Sequence, residues 1–256
     1  GTPPSAVATQ LSRRYDGTNE SEVQSWYRAT HGTFLTPQAD NFVLGVLSEA
    51  ENRTIATGLN DLVMDYFEDA VDRNGATELV FRSGSTKTIQ PGSWIVNCTG
   101  YVNFPDDYPY EPYVSPSGAV VSINVRSAML HLPAFMGYFL GHLLFLDKLS
   151  EIPLYEVDWM NLRQKAPLAF PYVLFALVAH NLSLIYDNVP SRVFTENGLD
   201  FDKWYPLPRR LPGLARFMLA HHRERERQRR VLDTVRERFQ IRCGPLDTQR
   251  VLAGKT

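Results

Sequence analysis

Residues 167–186, PLAFPYVLFALVAHNLSLIY, form an almost unbroken apolar run of 20 residues. A run of that length has to be hidden from water, either in a protein core or in a bilayer. Its polar members decide between the two. Pro171, His180, Asn181 and Ser183 lie inside it, and Arg163-Gln164-Lys165 stands just ahead of it. A central His-Asn pair is costly in hydrocarbon unless it lines a functional path. The run is therefore expected to be a core helix that the rest of the chain must cover. A second apolar stretch, Pro133–Leu149, carries His142 and a Gly137-x-x-x-Gly141 spacing, which alone is a weak sign of helix pairing in membranes.

A chain of 256 residues is long enough for one large domain or two small ones. With 44% hydrophobic and 21% charged residues it has the composition of a globular protein, which excludes wholesale disorder and collagen-like structure. Two cysteines, Cys98 and Cys243, make no disulfide framework, and no Cys/His group has zinc spacing. The start, Gly1-Thr2-Pro3-Pro4-Ser5, has neither a basic segment nor an apolar one, so no secretory signal is expected there. It also lacks Met, which is expected of a processed product or a fragment. A cytoplasmic setting, peripheral to a membrane as an alternative, is the expectation.

The net charge of −2 conceals a strong asymmetry. Residues 209–242 hold 11 Arg against Glu224, Glu226, Asp233 and Glu237, a balance of +7, which leaves −9 for the remainder. Such a segment is either a solvated helix face or a contact surface for anionic lipid, RNA or an acidic partner. The contact from Arg209 to Arg242 is expected to depend on Arg223, Arg225, Arg227 and Arg229. Beyond this segment the chain carries no strong nucleic-acid signal.

Periodicity outlines the elements. The first fifty residues read as polar and turn-rich, with one short helix over Glu20–Thr30. Ile55, Leu59, Leu62, Val63, Tyr66, Phe67, Ala70 and Val71 follow a helical rhythm that Asn74-Gly75 would stop. Glu78–Arg82, Ser83-Gly84-Ser85 and Thr86–Ile89 read as a β-hairpin, and Ser93–Asn97 as a buried strand. Ala119–Ile123 reads as a further short strand. Residues 211–240 form a long Arg-rich helix whose expected buried side is Leu214, Phe217, Met218, Val231, Leu232, Val235 and Phe239. The fold class expected is α/β or α+β, with a mostly helical C-terminal half.

Catalytic motifs are scarce. Neither G-x-S-x-G, H-E-x-x-H, a phosphate-binding P-loop nor G-x-G-x-x-G occurs, and none of the six His stands in a nucleophile motif. His142 and His180 are expected to be hydrogen-bonded core residues. Asp106-Asp107 and the Asp200/Asp202 pair read as exposed loop carboxylates. More informative is the run Ser93-Trp94-Ile95-Val96-Asn97-Cys98-Thr99-Gly100-Tyr101. A strand ending in small polar residues and Gly lets the backbone turn sharply and approach a ligand closely.

This run, behind a helix and a hairpin, resembles the second half of flavoproteins with two dinucleotide-binding domains, the flavin-containing and N-hydroxylating monooxygenases among them. In those proteins such a strand returns the chain from the nicotinamide domain to the FAD domain. Ala119–Ile123 followed by Pro133-Ala134-Phe135-Met136-Gly137-Tyr138 looks like their strand and helix beside the flavin. The resemblance covers roughly residues 40–147. It implies a nucleotide-binding-like part with a β-hairpin and sheet edge. Residues 1–100 would be its remnant, 101–147 the return segment, and 148–256 a helical region. It implies FAD and NADP as cofactors, a small-molecule substrate, and an N-terminal FAD-binding half or subunit supplied from elsewhere. Asn97, Cys98, Thr99, Gly100, Tyr101, Phe135, Met136 and Gly137 would line the cofactor. Both phosphate-binding glycine turns are missing from this sequence. No general acid or base is nominated.

Overall fold

The computed structural model describes residues 2–32, 36, 49–96, 126–130, 133–199 and 201–246. In chain order the elements are α1 (Pro4–Arg14), α2 (Glu20–Thr30), α3 (Glu49–Gly58), β1 (Phe67–Arg73), β2 (Ala76–Phe81) and β3 (Thr86–Ile89). They continue with β4 (Ser127–Ala128), α4 (Pro133–Phe145), β5 (Tyr155–Asp158), α5 (Trp159–Lys165) and α6 (Phe170–Asn188). Helix α7 (Ser191–Glu196), a 3₁₀ turn (Phe201–Trp204), α8 (Leu207–Phe239) and β6 (Cys243–Pro245) complete them. The sheets are small and antiparallel, so the architecture is α+β with a mostly helical C-terminal half. The chain divides into two compact units, one containing α3 and β1–β3 and the other everything else described.

The smaller unit is a three-stranded meander, β1-β2-β3. Its β2–β3 hairpin turns at Ser83–Ser85, as expected from the sequence, with Gly84 at φ 84°. The helix expected over residues 55–71 is not formed. Helix α3 stops at Gly58, Leu59–Tyr66 has no regular structure, and Phe67–Arg73 is a strand paired with β2. The reason lies in Asn74-Gly75, which take φ values of 52° and 81°. Two consecutive positive φ angles make a tight hairpin turn matched to strand twist, and Asn-Gly is the pair that best tolerates it. The dipeptide turns a strand rather than ending a helix. Ser93–Val96 is no buried strand either: it is irregular, and Trp94 is 92% exposed. Among this unit's described residues only Phe81 is buried.

The larger unit is built around α6, the apolar run. Its buried side chains extend from Phe170 to Ile185, and 67% of its most apolar window is hidden. By length and composition alone it is also the one described helix that could cross a membrane. The core around it gathers Met136, Phe139, Leu140 and Leu143 of α4 with Leu154, Val178, Ile185 and Val193. Strand β5 is buried throughout and pairs with β4 on one side and β6 on the other. Asp158 ends β5 and caps α5, accepting the Asn161 amide at 3.1 Å, which satisfies a donor that the helix itself cannot.

Helix α1 was not expected from the polar N-terminal sequence. It begins at Pro4, a residue whose fixed φ suits the first helical position, and it buries Leu11 and Ser12. Helix α2 occupies Glu20–Thr30 as expected. In α8 the expected apolar side splits. Val231, Leu232 and Val235 are buried, whereas Leu214 and Met218 are more than half exposed. The unit's core reaches the second half of α8 and stops short of the first.

Candidate functional site

Asn97, Cys98, Thr99, Gly100 and Tyr101 lie outside the described residues, as do the expected strand 119–123 and Asp106-Asp107. Phe135, Met136 and Gly137 occupy the first turns of α4. Met136 is buried among Leu140, Leu143 and their neighbours, and the Phe135 ring lies tilted against Phe139 with centroids 6.1 Å apart. Ala134 and Gly137 are exposed. No carboxylate stands in the first turn of α4. The sequence holds no glycine turn to cradle a pyrophosphate.

Among the described residues, one cluster of titratable side chains gathers that sequence spacing did not mark. Asp187, near the end of α6, meets His221, His222 and Arg225 of α8. His221 Nε2 is 2.9 Å from Asp187 Oδ1, and its Nδ1 is 3.1 Å from the Phe217 carbonyl oxygen. His222 Nδ1 stands 3.5 Å from Asp187 Oδ2. Burial opposes the charge on Asp187, but the hydrogen bonds from His221 and Arg225 outweigh it and hold its carboxyl below the ordinary value. The ligand atoms of Asp187, His221 and His222 lie within 4.8 Å of one another, a spacing that a metal ion could bridge. Arg225 already fills the cationic position. Its Nη1 donates to Asp187 Oδ2 at 2.6 Å, and its Nη2 lies 3.1 Å from His222 Nδ1. The arrangement is a charge clamp between two helices. Only the fold brings residues 34 positions apart together here, so no local motif could have announced it.

The His-Asn pair of α6 serves the core. Asn181 Oδ1 accepts the Tyr155 amide at 2.9 Å, and its Nδ2 donates to the carbonyls of Met129 and Tyr155 at 2.8 Å each. His180 packs edge-on to Tyr155 and donates from Nδ1 to the Arg225 carbonyl at 3.2 Å, while its Nε2 has no hydrogen-bond partner. Burial pushes its pKa down to about 4. His142 bonds the Tyr138 carbonyl one turn earlier.

Much of the Arg-rich segment is engaged within the chain. Arg225 holds Asp187, Arg227 donates to the carbonyls of Ser12, Arg13 and Tyr15, and Arg229 pairs with Glu226. Arg238 holds Glu20, and Arg242 holds the buried Glu156. Of the four arginines expected to carry an external contact, Arg223 alone is left without a partner among the described residues; Arg216 and Arg230 share that condition. No protein-family model, curated protein or solved structure matches the chain.

Proposed function

We propose that this chain is part of an FAD-dependent, NAD(P)H-linked oxidoreductase, most like a flavin monooxygenase. The observation that carries the reading is a pairing. The run Ile95–Tyr101 is followed by α4, which opens at Pro133 where the resemblance calls for a helix beside the flavin and exposes Ala134 and Gly137 there. The smaller unit adds support for a missing partner. Leu62, Met64, Tyr66, Phe67, Trp94 and Val96 are exposed, more apolar surface than a small meander normally leaves to water.

In this reading Asn97–Tyr101 and the backbone of Phe135–Gly137 would flank the flavin ring, and the side chain of Met136 would support the helix from the core. When bound, the flavin would carry electrons from NAD(P)H to oxygen or another acceptor. The chain's own part is to position one edge of the ring and exclude water. A phosphate-binding turn must come from another segment or subunit. Purification of the full-length gene product tests this directly. Visible flavin absorption, lowered in Gly137→Leu, is the expected result, and a colourless product that does not take up added FAD would end the proposal.

A second reading, a non-catalytic contact module, is favoured by the condition of α8. Its Arg216, Arg223 and Arg230 are exposed and unpaired among the described residues, while Gln228, Val231, Leu232 and Val235 of the same helix are buried. Retention on heparin that is lost when these three become Gln is its test.

A further inference from the structure

We infer that Asp187, His221 and His222 form a binding site for a divalent transition-metal ion of the zinc class, which takes the place of the Arg225 guanidinium between α6 and α8. The inference is independent of both readings above.

The partners of the two imidazoles fix where their lone pairs point. A carbonyl oxygen only accepts, so the contact of His221 Nδ1 with the Phe217 carbonyl at 3.1 Å puts the ring proton on Nδ1. In the neutral ring Nε2 then turns its lone pair on Asp187 Oδ1, 2.9 Å away. Two acceptors at that distance repel unless they share a proton or a metal ion. A guanidinium only donates, so His222 Nδ1, 3.1 Å from Arg225 Nη2, presents a lone pair as well. Asp187 Oδ2 accepts from the same guanidinium at 2.6 Å. The three side chains thus converge on one place, and that place already holds positive charge.

Spacing and ligand chemistry select the ion. Four-coordinate zinc with imidazole and carboxylate ligands has bonds of about 2.0–2.2 Å, which sets neighbouring ligand atoms roughly 3.4 Å apart. The His221–Asp187 and His222–Asp187 separations of 2.9 and 3.5 Å bracket that value. All three ligand atoms lie within 4.8 Å of one another. The His222 side chain is 66% exposed and can rotate to close what remains. Two imidazoles and a carboxylate suit zinc, nickel or copper, whereas calcium and magnesium need a shell of oxygens. The His221 ring is held for the task. It stacks on Phe217, meets Tyr186 edge-on, and its backbone carbonyl accepts Ser183 Oγ at 3.2 Å. A ring N–H bonded to a carbonyl is also the outer contact that orients metal-binding histidines. The fourth position opens to water on the His222 side.

Arg225 is the competitor. Among the described residues its guanidinium bonds only Asp187 and His222, so an arriving metal ion has two contacts to displace. Removing Arg225 should therefore strengthen metal binding, the opposite of what losing a supporting residue would do.

The test uses the full chain, stripped of metal with a chelator. Zn2+ is titrated in competition with a chromophoric zinc indicator, and Co2+ is followed by its visible absorption. One Zn2+ per chain, undisturbed by excess Mg2+, and the Co2+ spectrum of a four-coordinate ion are expected. His222→Gln and Asp187→Asn should each weaken binding by at least about a hundredfold, beyond the loss typical of residues that only orient a ligand. Arg225→Gln should tighten it by about tenfold, the equivalent of one charge-assisted hydrogen bond. Circular dichroism checks the fold of each variant, and the exposed His222 decides the matter if Asp187→Asn does not fold. Absence of saturable Zn2+ binding in wild type and Arg225→Gln alike would overturn the proposal. So would wild-type affinity in His222→Gln, which would place the ion elsewhere, or an Arg225→Gln variant that binds no tighter than wild type.

Discussion

Arg238 grips Glu20 with both terminal guanidinium nitrogens, Nη1 to Oε2 at 2.7 Å and Nη2 to Oε1 at 2.8 Å, so the last turns of α8 hold the start of α2. Burial alone would raise the Glu20 carboxyl, yet the Arg238 hydrogen bond and charge hold it below its ordinary 4.5. A carboxylate depressed in the folded state stabilises above its unfolded pKa, and that contribution is lost as pH falls through the folded value. Arg238→Gln is expected to cost about 1 kcal/mol at neutral pH. The deficit should shrink under acid and in high salt. Urea unfolding at two salt concentrations measures it; equal midpoints for variant and wild type would show that the pair contributes nothing.

His180 supplies a second pH dependence of the same sign. Its pKa falls from 6.5 to about 4 in the folded chain because burial disfavours the imidazolium. Between those two values the unfolded chain binds the proton and the folded chain does not, so stability declines as pH drops from 6.5 towards 4. The loss is on the order of 3 kcal/mol. Replacing His180 by Phe should flatten the stability profile across this window. A variant whose profile stays parallel to wild type would mean that another group titrates there.

Asn181 is fully buried and satisfies an amide and two carbonyls from segments far apart in sequence. Asn181→Ala leaves all three without their partner in a site closed to water. We expect a loss of about 3 kcal/mol or more, since each stranded polar group costs on the order of 1–3 kcal/mol. Thermal melting tests this, and a loss below about 1 kcal/mol would show that water reaches the site.

How far the fold was legible depended on whether a signal was local. The α6 run, α2 and the β2–β3 hairpin could each be read from a short window of sequence. The 55–71 segment misled because its apolar positions fit a helical rhythm while Asn74-Gly75 committed the chain to a hairpin. The charge clamp at Asp187, His221 and Arg225 had no local signature at all. In α8 the apolar positions of both halves look alike in sequence, and only the tertiary packing, which buries Leu232 and leaves Leu214 more than half exposed, separates them.

That difference within α8 is measurable. Leu232 is fully buried, and truncating such a side chain removes its burial and leaves a cavity. Leu232→Ala should cost about 2–5 kcal/mol, whereas Leu214→Ala, with its side chain largely in water, should change stability by less than about 0.5 kcal/mol. Chemical denaturation of the two variants side by side checks the claim. Similar losses would mean that the first half of α8 is packed like the second.

Cys243 offers a kinetic probe of the same region. It sits at the start of β6, buried, with its Sγ donating to the Leu232 carbonyl at 3.4 Å. Burial, first of all, pushes its thiol up to about 12, so at neutral pH almost no thiolate is available to react. In a Cys98→Ser background, which removes the chain's other thiol, Cys243 should resist a disulfide reagent in the native state. Labelling should then rise with urea in step with unfolding. Fast labelling in native buffer would show instead that β6 detaches from β5 while the rest of the unit stays folded, because loss of that pairing is what would open a path to the sulfur.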